Sequence, residues 1–191
     1  MLNQAAQFLL ESVFNLFLVA VLLRFYMQLM RVSFRNPFAQ FVVALTDFAV
    51  RPLRRFIPGW GGIDLPTLLL AWALEFVLLL ALYGLDGFPF VAAGAAVLPA
   101  FAALALVRLL KLALYILIGL VFVQAILSWV NPFSPVAPVF AALTAPVMRP
   151  LRRVLPPIGN VDLSPLVVFI GCQLILMVPV ALLEKAALSL F

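Results

Sequence analysis

Apolar residues fall into long runs separated by short mixed segments. Four windows are long and apolar enough to cross a bilayer, which takes about 20 such residues: residues 8–30, 65–83, 112–130 and 163–183. The first holds Glu11 and Arg24, the second holds Glu75, and the other two hold no charge. A fifth window, 88–107, is apolar but rich in alanine, carries Pro89 and Pro99, and runs directly into Arg108 and Lys111. It reads as a weak span, a re-entrant segment or a helix lying in the interface.

The segment after the first span has a different period. Residues 38–57 read FAQFVVALTDFAVRPLRRFI. Phe38, Phe41, Val42, Leu45, Phe48 and Ala49 recur at helical spacing, with Gln40, Asp47 and Arg51 on the polar side. Such a segment is too interrupted to span and suits a helix at the membrane surface, with its phenylalanines in the acyl region. Pro52 is expected to bend or restart it. If helix resumes, Arg51, Arg54 and Arg55 share one face.

The basic segment is written twice. ALTDFAVRPLRRFIPGWGGIDL begins at Ala44 and ALTAPVMRPLRRVLPPIGNVDL begins at Ala142, with 12 of 22 paired positions identical. Arg149, Arg152 and Arg153 match the first arginine triplet, Pro150 matches Pro52, and Asp162 matches Asp64. Asn-Pro-Phe triplets at Asn36 and Asn131 precede the two segments. The pattern predicts an all-α polytopic membrane protein of two tandem repeats. Each repeat is a span, an interfacial amphipathic helix with a hairpin, and a second span. The whole of 1–191 is one integral membrane domain, with repeat one at 8–83, a linking segment at 84–111 and repeat two at 112–183. Asp64 and Asp162 are candidate N-caps of the spans that follow, and an Arg–Asp pair is a way to close each hairpin.

Composition agrees with a lipid solvent. Of 191 residues, 67% are hydrophobic and 10% charged, against about 25% charged in soluble domains. The net charge of +5 sits beside hydrophobic spans, where it sets topology and meets anionic headgroups. No nucleic-acid motif accompanies it. The N-terminal stretch lacks a basic n-region and a cleavage pattern, so it reads as an uncleaved first span. If window 88–107 does not cross, both basic hairpins face the same side, with nine basic residues there against three. If it crosses, the halves are inverted and the tally is again nine against three. Four spans is the preferred reading, because two near-identical basic hairpins belong on the same anionic leaflet, and it leaves both termini facing the periplasm.

The chemistry is sparse. There is no histidine, and the single cysteine, Cys172, lies in an apolar run, which removes the commonest general base and any disulfide or multi-cysteine metal site within the chain. No nucleophile elbow, paired acid motif or phosphate-cradling loop is present, and the sequence calls for no enzyme activity, cofactor or metal. Intramembrane polar residues remain. Glu75 lies near mid-span, where a charge costs about 2.5 to 3.5 kcal/mol on insertion scales, so it is a candidate site. Its repeat counterpart is Gln173. Together they suit a transport site at the repeat interface or interhelical hydrogen bonding, with Glu75 protonated or paired to Arg24.

The residues LLRFYMQ (22–28), NPFAQFVV (36–43), RPLRRFIP with GGIDL, SWV (128–130) and RPLRRVLPPIGNVDLSP (149–165) resemble the YggT family of small bacterial inner-membrane proteins over nearly the whole chain. The resemblance implies a multi-pass protein of the bacterial cytoplasmic membrane without established biochemical activity. Family associations are with osmotic stress and potassium uptake, cell-division neighbourhoods and, in plastid relatives, cytochrome maturation and nucleoid distribution. The expected role is a non-enzymatic accessory or scaffold. Arg51, Arg54, Arg55, Arg149, Arg152 and Arg153 would contact anionic lipid or a membrane-protein partner, and a homo-oligomer and no nucleic acid are the other expectations. The alternative is a small channel or transporter component using Glu75 and Gln173.

Overall fold

The computed structural model describes residues 1–155 and 162–190. The turn of the second basic hairpin, 156–161, lies outside the described residues. The chain forms α1 (Leu2–Leu29), α2 (Pro37–Phe56), α3 (Leu65–Leu85), a short α4 (Phe90–Ala93), α5 (Leu98–Val130), α6 (Ala137–Val154) and α7 (Ser164–Leu188). Among the described residues there is no strand beyond an isolated Trp60–Ile63 bridge. Four helices, α1, α3, α5 and α7, are long and apolar enough to cross a membrane.

Window 88–107 does not form a span of its own. Its first half becomes α4 and a 3-10 turn at Ala95–Val97, and its second half begins α5. Pro99 falls in the first turn of α5, where its missing amide costs no hydrogen bond. That helix then continues through Arg108 and Lys111 without a break to Val130.

Each amphipathic segment is one helix. Asn36 caps α2 by accepting from the Ala39 amide at 2.8 Å, with Pro37 at the first helical position. Pro52 does not restart the chain: α2 runs through it to Phe56, as α6 runs through Pro146 and Pro150 to Val154. Pro52 and Pro150 are both exposed, so the carbonyl each leaves without a donor is open to solvation. A π turn at Leu176–Val180 takes up Pro179 within α7, the widening that accommodates a missing amide. The turn before α3 needs Gly61 and Gly62, both at positive φ (60° and 86°), to close the Trp60–Ile63 bridge.

α5 is the hub, with residues in all four packing clusters. Leu120 packs with Met27, Val42 and Leu143, and Leu109 with Leu18 and Leu78. Phe101 packs with Leu79 and Ala187, and Val121 with Met148 and Cys172. In lipid these contacts hold through close packing rather than through exclusion of water. The two amphipathic helices meet at one end of the bundle. Phe38 of α2 and Phe140 of α6 have ring centroids 5.2 Å apart, and the Tyr26 hydroxyl of α1 donates to the Leu143 carbonyl of α6 at 2.7 Å. At the other end, the Asn3 side chain of α1 donates to the Leu85 carbonyl at the end of α3.

This arrangement predicts sidedness. In a Cys172→Ala background, single cysteines at Ser33 and Asn131 should react with a membrane-impermeant thiol reagent from the same side of oriented vesicles. A cysteine at Ser189 should react from the opposite side.

Candidate functional site

At the end of the bundle where α2 and α6 meet, polar side chains are paired across elements. Arg24 is 4% exposed. Its Nη1 donates to Thr46 Oγ1 and its Nη2 to Asp47 Oδ1, each at 3.0 Å. The Thr46 hydroxyl in turn donates to the Val42 carbonyl at 2.7 Å. In the second half the Thr144 hydroxyl donates to the Phe140 carbonyl at 2.8 Å and meets the Gln124 side chain. Thr46 and Thr144 are both fully buried. Arg24 therefore does not pair with Glu75: it lies near the α2 end of α1, whereas Glu75 lies halfway along α3.

The two arginine triplets divide in the same way. Arg54 bonds the carboxylate of Asp64, which also accepts from the Thr67 hydroxyl, and Arg54 donates to Gln28 Oε1 at 2.7 Å. Arg152 Nε donates to Asp162 Oδ2 at 2.8 Å. Asp64 stands just before α3 but makes no side-chain bond to its first backbone amides. Asp162 accepts from the Ser164 amide at 2.9 Å. The other four arginines, Arg51, Arg55, Arg149 and Arg153, are exposed and form no ion pair among the described residues. Arg51 and Arg55 border an open depression with Asp47, Phe48 and Pro52.

Partial burial by itself would raise the pKa of Asp162. Ser164, whose backbone amide donates to it, and then the Arg152 guanidinium outweigh it and hold the carboxyl below the ordinary aspartate value. A depressed folded pKa contributes stability that is complete above the unfolded value, about 3.9, and is lost as pH falls through the folded value.

A second set of charges lies deeper. Arg108 Nη1 is 3.9 Å from Glu75 Oε1, and Lys111 Nζ donates to Glu184 Oε2 at 3.1 Å. Glu75 is 4% exposed. Gln173, its expected counterpart, is exposed on α7 and does not line this cluster. The hydropathy pattern starts the third span at residue 112 and leaves Arg108 and Lys111 in the linking segment 84–111, so their partnership with Glu75 and Glu184 was not foreseen. The signal available was the apolar run on both sides of RLLK. Among the described residues no group of His, Cys, Asp or Glu is arranged to hold a metal ion.

Four apolar helices long enough to span, joined by amphipathic helices and carrying internal ion pairs, define a multi-pass α-helical membrane protein. The family model described as CCB3/YggT matches residues 3–85 and 103–183. The chain belongs to the CCB3/YggT family. It is 42% identical over 170 residues to a Vibrio alginolyticus protein described only by its place in the proC 3′ region, covering 87% of this chain and 88% of that one. It is 38% identical over 161 residues to YggT of Escherichia coli K12 (84% and 81% covered). Protein PA0392 of Pseudomonas aeruginosa is 36% identical over 181 residues (91% and 87% covered). The printed names of all three call them uncharacterized. No solved structure matches the chain.

Arg54→Ala leaves the buried Asp64 carboxylate with one fewer donor and should cost about 1–3 kcal/mol in thermal or denaturant unfolding in detergent. Arg51→Ala should stay within about 0.5 kcal/mol of wild type. By carboxyl NMR, Asp162 should titrate below the ordinary aspartate value, and Arg152→Ala should move its midpoint upward.

Proposed function

We propose that this protein is a non-enzymatic accessory protein of the bacterial cytoplasmic membrane. It organises the anionic headgroup region on one face through two arginine-bearing amphipathic helices. The observation that carries this reading is the division of labour within each triplet. One arginine is held by an aspartate at the mouth of the next span, which fixes the hairpin. The flanking two stay exposed. Arg51 and Arg55 are one helical turn apart on α2, and Arg149 and Arg153 are one turn apart on α6, at the same end of the bundle.

Each arginine near an anionic leaflet contributes about 1 kcal/mol, so four such groups bias local lipid composition without a closed pocket. Phe41 and Phe48 are exposed on α2 and suit burial among acyl chains. The inner membrane is supported by the bacterial sources of the relatives and by the helical spans, since bacterial outer-membrane spanning proteins are β-barrels. The link to osmotic stress or to membrane-complex organisation rests on family resemblance alone.

A second reading, a channel or transporter component, is favoured by the buried carboxylate of Glu75. Gln173 has no place in it.

Native mass spectrometry of protein extracted with its lipids tests the first reading. Replacing Arg51, Arg55, Arg149 and Arg153 together by alanine should remove most co-purifying anionic lipid, by about fivefold per arginine. Unchanged anionic-lipid retention would sink the proposal.

A further inference from the structure

α1, α3, α5 and α7 together line an open cavity of about 460 Å³ that gathers several charged side chains. Its titratable walls are Glu11 from α1, Glu75 from α3, Arg108, Lys111 and Tyr115 from α5, and Glu184 from α7. Three carboxylates therefore face two cations. With every one of these ionised, the cavity holds one uncompensated negative charge.

The pairing inside the cavity is uneven. Lys111 and Glu184 form a hydrogen-bonded ion pair at 3.1 Å, which accounts for one charge of each sign. Arg108 stands 3.9 Å from Glu75, close enough to attract it but beyond hydrogen-bond length. Glu75 is more than nine-tenths buried, lies midway along α3 and receives no hydrogen bond from any described residue. Ten residues of helix, about 15 Å, separate it from each end of α3. Glu11 has no hydrogen-bond or ion-pair partner among the described residues. One carboxylate too many, with Glu75 buried at mid-span and faced by Arg108 alone at 3.9 Å, is an expensive arrangement unless a positive charge joins it.

The chemistry of the lining selects that charge. A metal cation needs several oxygen ligands at once, and here Arg108 and Lys111 project into the same space and repel it. A proton needs no coordination shell, because it bonds directly to one carboxylate oxygen. It also turns that carboxyl into a donor, supplying the hydrogen bond that the cavity lacks. A cavity of this size and polarity has room for water to carry the proton in and out.

We propose that this cavity is a proton-binding site that holds one exchangeable proton, shared by Glu75 and Glu11. Arg108, Lys111 and Glu184 set the charge balance that retains it. The proposal is independent of the lipid contacts made by the amphipathic helices.

Infrared spectroscopy of the full-length protein in liposomes tests it through the carbonyl stretch of protonated carboxyl groups. At neutral pH the wild type should show such a band, shifted by exchange into deuterium oxide and unmoved by sodium or potassium. Glu75→Gln should abolish it. Glu11→Gln alters an exposed position and so guards against loss of fold. It should also abolish the band, because two carboxylates then balance two cations and Glu75 ionises against Arg108. Three results would each overturn the proposal: no band in the wild type at neutral pH, a band that sodium or potassium removes, or a band that survives in Glu11→Gln.

Discussion

A charge placed among apolar helices has no bulk water to fall back on, so it must find its counter-charge on another element. That requirement organises this protein. Arg24 joins α1 to α2 through Asp47, and Arg54 joins α2 to the start of α3 through Asp64. Glu75 joins α3 to α5 through Arg108, and Lys111 joins α5 to α7 through Glu184. Arg152 ties α6 to the start of α7 through Asp162. Five ion pairs thus link six helices in one continuous path. Packing in lipid is weakly directional, whereas an ion pair fixes both partner and depth. The few charges this chain keeps specify an arrangement that its many leucines do not.

The path also accounts for a likeness between α2 and α6. α2 and α6 each hold a buried threonine that back-bonds to its own helix and meets a polar side chain from the preceding long helix. Each also carries one arginine bound to an aspartate ahead of the next long helix. With these groups satisfied, Phe38 and Phe140 come into contact and close that end of the bundle. At the far end, Tyr83, Phe88, Phe90 and Phe101 form a tilted and edge-to-face cluster where α3 hands over to α5.

Much of this was legible in the sequence. Long apolar runs give the spanning helices, because length and hydropathy are what a bilayer demands, and the phenylalanine spacing in 38–57 gives an amphipathic helix. At the prolines the sequence left a bend or a restart open, and the helices run on through both. Pro52 and Pro150 look like breaks when counted one residue at a time, yet each lies on an exposed face where losing one backbone bond is tolerable. Arg108 and Lys111 misled. A hydropathy window treats paired positive charges as the end of a span, but their counter-charges lie on α3 and α7, which no local window sees. Gln173 failed for the opposite reason: matching position in a repeat does not guarantee a matching rotation about the helix axis, and this side chain faces outward.

The length of α5 has one more consequence. Its 33 residues extend about 50 Å, whereas the hydrocarbon layer is about 30 Å thick. Such an excess is taken up by leaning or by projecting beyond the layer. α5 packs into all four clusters, so it does not lean alone, and any change in its inclination must be shared by the helices around it. The overall posture of the bundle is therefore geared to the thickness of the lipid in which it sits.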